Sequence, residues 1–166
     1  MKKKIVLAFQ GLGKTYTTEN YPELKAVDID FKDFPHNDGW EEQYVNTLIE
    51  KSADFETQIV FGNISKQVIS LLLEKRIDFW IITPINDDSD EYISVKERLI
   101  GRYVLRKTQK PSNVQWLEKM KHSFDIWTHP DFFIECQNNI KSCNFDLNLS
   151  HYFKIDDNGI VHETWI

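Results

Sequence analysis

The sequence predicts an α/β fold in which helices cover both faces of a mostly parallel sheet of about five strands. Short apolar runs alternate along the chain with longer segments whose apolar residues recur at helical spacing. Strands separated by helices of this length are typical of βαβ units, whose right-handed crossovers bring the strand ends to one edge of the sheet. The chain has 166 residues, of which 41% are hydrophobic, and this suits one domain with a single core.

The order of the elements follows from the apolar pattern and from the residues that interrupt it. Apolar runs predict strands at residues 5–8, 26–31, 58–62 and 77–83. Helical spacing predicts helices at residues 14–20, 40–51, 63–76, 87–110 and 111–127, with Asn63 or Ser65 as the cap of the third. Beyond residue 129 the pattern predicts a short helix at 131–141 and a hairpin at 152–161.

The turn after the first strand carries the spacing of a phosphate-binding loop. Residues Ala8 to Thr15 match G-x-x-x-x-G-K-[ST], with alanine in place of the first glycine. Glycines let successive backbone N–H groups face a polyphosphate, and the helix that follows adds a partial positive charge. The alternative is a chance glycine turn between a strand and a helix. The candidate nucleotide-binding residues are Gln10, Gly11, Leu12, Gly13, Lys14 and Thr15.

Two residues of this loop have specific expected roles. Lys14 is expected to reach the β- and γ-phosphates, and the Thr15 hydroxyl is expected to ligate Mg²⁺.

Asp28 and Asp30 lie at the end of the second predicted strand, which is the ligand side of an open parallel sheet. Residues two apart on a strand point to one face, so both carboxylates are predicted to serve Mg²⁺ or an acceptor. The alternative is two solvated acids at an ordinary strand end.

An abrupt change of composition marks residues 87–110. An acidic start offers helix caps, and six basic residues with one acid follow between Lys96 and Lys110. Arg98, Arg102 and Arg106 recur at a spacing of four, so one helix face is predicted to carry all three guanidinium groups. An arriving phosphate would neutralise their mutual repulsion. The alternative is a solvated helix surface, which most charge runs are.

These features together resemble the small P-loop nucleoside and nucleotide kinases, including phage-type deoxynucleoside monophosphate kinase-like proteins. The resemblance rests on Ala8 to Thr15, on Val27-Asp28-Ile29-Asp30 and on the arginine-bearing segment, and it covers roughly the first 127 residues. It implies the three-layer P-loop NTPase fold, ATP and Mg²⁺ as cofactors, and transfer of the γ-phosphate to a (deoxy)nucleoside monophosphate. Shikimate kinase, a related small kinase, carries a similar Asp-x-Asp pair.

The resemblance also implies an arrangement of parts. The core would span residues 1–128, with a helical lid at about 87–110 whose arginines close over the phosphates, and residues 129–166 would form a C-terminal extension packed on the same domain. The chain departs from the family at Ala8 and at the third strand, where Phe61-Gly62-Asn63 replaces the Walker B acid. The candidate catalytic residues are Lys14, Asp28, Asp30, Arg98, Arg102 and Arg106, and the candidate metal ligands are Thr15 and Asp28.

Charge and composition argue against nucleic-acid-binding and membrane-spanning proteins. A net charge of -6 argues against stable nucleic-acid binding, and the sequence has no apolar segment long enough to cross a membrane. Cys136 and Cys143 fit reduced thiols in a cytoplasmic protein. Two alternatives to a small-molecule kinase stay open: a non-catalytic nucleotide-binding accessory protein and a polynucleotide 5′-hydroxyl kinase. Trp165 and Ile166 are predicted either to close the domain's own sheet or to form a homodimer contact.

Overall fold

A computed structural model describes residues 3–109 and 114–165 of the chain. The fold groups into two compact units. The first contains residues 1–82 and 148–166, and the second contains residues 83–147. The expected division into a core of 1–128 and an extension of 129–166 stays a prediction about domains.

The first unit is built on four parallel strands. They are β1 (Ile5–Ala8), β2 (Ala26–Asp28), β3 (Ile59–Gly62) and β4 (Phe79–Thr83), in the spatial order β2-β3-β1-β4. Ile5 pairs with Val60 on one side and Phe79 on the other, and Asp28 pairs with Phe61. Every residue of β1 and β3 is buried, as expected for central strands covered on both faces. The predicted α/β class with parallel strands is confirmed.

Three helices connect these strands. They are α1 (Lys14–Asn20), α2 (Trp40–Ala53) and α3 (Lys66–Glu74). The Ser65 hydroxyl accepts the Val68 N–H at 3.1 Å and caps α3. The predicted start of this helix at residue 63 is therefore wrong by a turn, because a cap residue has extended rather than helical backbone. Of the two residues expected to cap α3, Ser65 is the one that does so.

A C-terminal hairpin completes the first unit. Its strands are β5 (Phe153–Ile155) and β6 (Val161–Glu163), which are antiparallel, so the predicted hairpin is confirmed. The Gln58 side chain donates to the Gly159 carbonyl and accepts the Val161 N–H, both at 2.7 Å. The Trp165 ring meets the Trp80 ring edge to face at 5.6 Å. Trp165 thus packs within its own unit, whereas the homodimer contact stays a prediction and Ile166 lies outside the described residues.

The second unit is mainly helical. It contains α4 (Asp90–Gln109), α5 (Val114–Trp127), a 3₁₀ segment (Pro130–Asn139) and the short strand β7 (Ile140–Ser142). Within this unit β7 directly follows the 3₁₀ segment. The last residue of β4, Thr83, belongs to this unit, and its carbonyl accepts the Cys143 N–H at 3.1 Å.

Three predictions for this unit need correction or lie outside the described residues. The helix expected at 131–141 is a kinked 3₁₀ segment that ends at Asn139, because Phe133 and Cys136 have non-helical backbone angles. On α5 the buried face contains Leu117, Met120 and Phe124, while Trp116 is half-buried. The predicted helix start at Pro111 and the predicted lid end at Lys110 lie outside the described residues. Within the described ranges, all helices are too short or too polar to span a bilayer.

Candidate nucleotide-binding site

The loop between β1 and α1 is curled at two glycines. Gly11 and Gly13 have φ angles of 87° and 86°, which side-chain-bearing residues rarely adopt. Between them Leu12 is buried, and the Phe9 N–H donates to the carbonyl of Ile82 at 2.9 Å. The loop is therefore fixed to the end of β4 and to the core. The glycine turn predicted from the sequence is present.

Lys14 directs its charge back across this loop. Its side chain is only 8% exposed, and its Nζ donates to the carbonyl of Ala8, the first residue of the motif, at 3.3 Å. A largely buried ammonium group must be compensated by oxygen atoms, because removal from water penalises the charge. The loop thus holds a positive charge close to its own backbone.

The next residue links the loop to β2. The Thr15 hydroxyl donates to Oδ2 of Asp28, the last residue of β2, at 2.8 Å. Thr15 is exposed and Asp28 is half-buried, so the bond lies at the surface of the sheet edge. The structure thereby brings together two residues that are 13 positions apart in the sequence and were both predicted as metal ligands.

The Asp28 carboxylate has an unusual electrostatic environment. Burial raises the pKa of this carboxyl, the Thr15 hydrogen bond and the charge of Lys14 lower it, and the charge of Asp30 raises it, with a net increase above the ordinary value. Its Oδ1 atom is buried and accepts no hydrogen bond from the residues that the structure describes. A buried, unsatisfied carboxylate oxygen is costly for folding.

Magnesium fits this donor set. Mg²⁺ prefers oxygen ligands and is usually held by one or two carboxylates together with phosphates and water. The Thr15 hydroxyl and the Asp28 carboxylate supply oxygens side by side. The described residues contain no group of three or more His, Cys, Asp or Glu side chains placed to hold a metal, so phosphate and water would complete the ligand set.

Asp30 does not lie where the sequence predicted. β2 ends at Asp28, and Asp30 caps the 3₁₀ turn Phe31–Asp33 by accepting the Lys32 N–H at 3.0 Å. The expectation that both acids project from one strand face is therefore wrong. The physical reason is that an aspartate can bond the backbone two residues on, which favours a turn over a continued strand.

The hydroxyl group of a tyrosine from α2 lies at the end of β3. Oη of Tyr44, a fully buried residue of α2, accepts the N–H of Asn63 at 2.7 Å and donates to the carbonyl of Ile29 at 2.6 Å. The Asn63 side-chain oxygen accepts the N–H of Phe31 at 3.3 Å. These two side chains join the backbone after β2 to the backbone after β3. Asn63, expected as a helix cap, is thus part of the core.

The three arginines lie on α4, in the second unit. Arg98 and Arg106 are exposed, while Arg102 is half-buried and donates to the carbonyl of Leu147 at 3.0 Å. Burial lowers the pKa of Arg102, and the positive charges of Arg98 and Arg106 lower it further. The mutual repulsion expected from their spacing is therefore present, and their contact with a substrate phosphate stays a prediction.

Sequence reasoning missed one group of residues at this edge, namely Tyr44, Gly62 and Asn63. Tyr44 had the pattern of an ordinary core position of a helix, and nothing local distinguishes it. The one available signal was Gly62, because glycine at the end of a central strand often marks a close approach of another group.

Comparison of the chain with protein-family models, curated proteins and solved structures finds no match.

Proposed function

We propose that the chain is a three-layer P-loop phosphotransferase that moves the γ-phosphate of ATP to a small acceptor, which the family resemblance indicates to be a (deoxy)nucleoside monophosphate. The observation that carries this proposal is the 2.8 Å bond from Thr15 to Asp28, formed beside the buried Lys14. The motif alone predicts a loop. The bond adds an oxygen pair at the place where a P-loop protein holds its metal.

Each residue of the site has a physical role in this proposal. Backbone N–H groups from Gln10 to Thr15 would bind the phosphates, and Lys14 would neutralise charge that develops on the transferred group. Thr15 and Asp28 would hold the metal, which would supply positive charge against the phosphates. Phosphoryl transfer asks little covalent chemistry of a protein, so these roles suffice for catalysis.

The acceptor side of the proposal rests on Asp30 and on the arginines of α4. Asp30 lies two residues beyond Asp28, is half-buried and begins the 3₁₀ turn Phe31–Asp33. A carboxylate there can accept a hydrogen bond from an acceptor hydroxyl or take part in the metal shell. Arg98, Arg102 and Arg106 would bind substrate phosphate, since guanidinium groups bind phosphate oxygens in pairs.

A coupled assay of ADP release tests the proposal directly. The protein is incubated with Mg-ATP and each nucleoside monophosphate and deoxynucleoside monophosphate in turn, with Lys14→Ala as the inactive control. We expect acceptor-dependent ADP release by the wild-type chain for at least one monophosphate. Transfer of labelled phosphate to a 5′-hydroxyl oligonucleotide, run in parallel, examines the polynucleotide kinase alternative.

One observation favours a second candidate, a nucleotide-binding protein without catalysis. The residues after β3 carry no acid, and the Asn63 N–H and side chain are engaged in the bonds to Tyr44 and Phe31. A binder of this kind would show saturable ATP binding in calorimetry and no ADP release with any acceptor. The two candidates therefore differ in turnover and not in affinity.

A further inference from the structure

The ends of β2 and β3 stay joined beyond the last paired residues of the two strands. The register of the strands ends at Asp28 and Phe61. Three hydrogen bonds continue past it: Ile29 N–H to the Phe61 carbonyl at 2.9 Å, Tyr44 Oη to the Ile29 carbonyl at 2.6 Å, and Phe31 N–H to the Asn63 side chain at 3.3 Å. Two of these three bonds use a side chain in place of a backbone partner.

Space for the Tyr44 hydroxyl exists because residue 62 is glycine. A Cβ at Gly62 would lie 3.0 Å from Tyr44 Oη, and 2.9 Å and 3.2 Å from the side chains of Leu7 and Leu48. The Phe31 ring then packs on the Tyr44 ring edge to face, at 4.7 Å between centroids. The strand end has thus no side chain of its own, and α2 supplies the polar group there.

We propose that Tyr44 and Asn63 are positioning residues, which hold the Asp28–Asp30 segment in place for metal and acceptor binding. The inference rests on the proposed function, because it assigns these residues to the same site. Tyr44 and Asn63 fix the carbonyl of Ile29 and the N–H of Phe31, which flank Asp30. Asp28 is held on the other side by strand pairing to Phe61 and by the Thr15 bond.

The Tyr44 hydroxyl suits this role over the whole neutral pH range. Burial raises the pKa of Tyr44, and the nearby carboxylates of Asp28, Asp30 and Asp33 raise it further. The hydroxyl therefore keeps its proton and donates to Ile29 whenever the site is in use. Partners that orient metal ligands without touching the metal typically change metal affinity or activity by about 10- to 100-fold when removed.

The test compares Tyr44→Phe with Tyr92→Phe. Both substitutions remove one buried phenolic oxygen; that of Tyr92 contacts Asp125 and Thr128 in the second unit. Calorimetry measures ATP affinity in EDTA and in Mg²⁺ for the wild-type chain and both variants. We expect Tyr44→Phe to keep the affinity in EDTA within about twofold and to reduce the gain from Mg²⁺ by about tenfold, with no such loss in Tyr92→Phe.

Thermal melts separate positioning from folding. A merely structural role would lower the melting temperature in both variants and leave the Mg²⁺ gain unchanged in both, and that result would overturn the positioning role. Asn63→Ala, which removes the acceptor of the Phe31 N–H, is the second variant if Tyr44→Phe does not fold, and the same loss of the Mg²⁺ gain is expected. Absence of ATP binding by the wild-type chain overturns the proposed function, and the positioning role with it.

Discussion

The chain carries positive charge in two regions that differ in how the charge is held. In the loop between β1 and α1 one ammonium group, that of Lys14, is 8% exposed and contacts the Ala8 carbonyl. On α4 the arginine face, formed by Arg98, Arg102 and Arg106, has two exposed members and one half-buried member. The loop charge is fixed by its surroundings, whereas the α4 charges are mostly solvated and repel one another.

The comparison shows how burial changes the strength with which a charge interacts with its neighbours. A charge held in a partly dry pocket acts strongly on a neighbouring phosphate and needs little rearrangement at the moment of reaction. Exposed charges are screened by salt within about 10 Å at ~0.1 M ionic strength. The loop should therefore dominate catalysis, and the arginine face should contribute less and in a salt-dependent way.

The largest effect is expected at the loop. Lys14→Ala should lower acceptor-dependent turnover by at least about 10²- to 10³-fold, because it removes the fixed charge at the transferring phosphate. ADP release measures the loss, and circular dichroism should show the fold unchanged. Lys51→Ala, an exposed lysine in the last turn of α2, is the matched control and should leave turnover unchanged. Full turnover by Lys14→Ala would contradict the assignment of the loop.

A smaller effect on activity, with an opposite effect on stability, is expected at Asp28. Asp28→Asn keeps an acceptor for Thr15 but loses the charge, so the Mg²⁺ dependence of turnover should weaken by about 10- to 100-fold. Burial raises the pKa of this carboxyl above 3.8, so the folded state binds its proton more tightly than the unfolded chain does.

The raised pKa of Asp28 sets the direction in which stability changes with pH. Stability falls as pH rises from about 3.8 through the raised folded pKa of Asp28, and the loss is complete above that folded pKa. Asn at this position does not ionise, so Asp28→Asn should melt higher than the wild-type chain at pH 7. The difference should shrink as the pH approaches 3.8. Thermal melts in metal-free buffer across this range measure it; an unchanged difference would mean that ionisation of Asp28 is not its source.

The arginine face should show a weaker effect on turnover than the loop. Arg98→Gln is expected to lower turnover by about tenfold, less than Lys14→Ala, because an exposed guanidinium is screened before substrate binds. Kinetics at low and high salt measure it, with Lys119→Gln on α5 as the exposed control. A loss equal to that of Lys14→Ala would erase the contrast between the two regions.

The smallest effect concerns stability. Arg106→Gln removes one of the two charges that repel Arg102, and like-charge pairs at this helical spacing are unfavourable by about 0.2–0.5 kcal/mol. The variant should be stabilised by roughly that amount at low ionic strength and by less at high salt. Urea titrations at two salt concentrations measure the change. Destabilisation at low salt would show that Arg106 makes a favourable contact that outweighs the repulsion.

The parts of the site that could be predicted from the sequence are those with a local pattern. The loop from Ala8 to Thr15 has a fixed spacing, and its curled backbone follows from glycines at the required positions. Asp28 was predicted at the ligand edge from its position at the end of a parallel strand, and its bond to Thr15 shows that it lies beside the loop. The metal and phosphate contacts of these residues stay predictions.

The parts that could not be predicted depend on competition between neighbouring groups. Strand periodicity placed Asp30 beside Asp28, but the Asp30 carboxylate bonds the Lys32 N–H and begins a turn. Tyr44 and Asn63 meet only after α2 has packed on the sheet, and no spacing in the sequence announces a contact across 19 residues. The sequence likewise predicted a short helix at 131–141, where the non-helical backbone of Phe133 and Cys136 makes a kinked 3₁₀ segment instead.

The lack of room beside residue 62 also limits how this protein could be redesigned. An engineer who wished to install an acid at the end of β3 could not begin with Gly62→Asp alone, because its first carbon would overlap with Leu7 and Tyr44. A mutant library would have to combine the new carboxylate with smaller side chains at positions 7, 44 and 48. The substitution at position 44 would remove the Tyr44 hydroxyl. A new carboxylate at this strand end therefore requires several simultaneous substitutions.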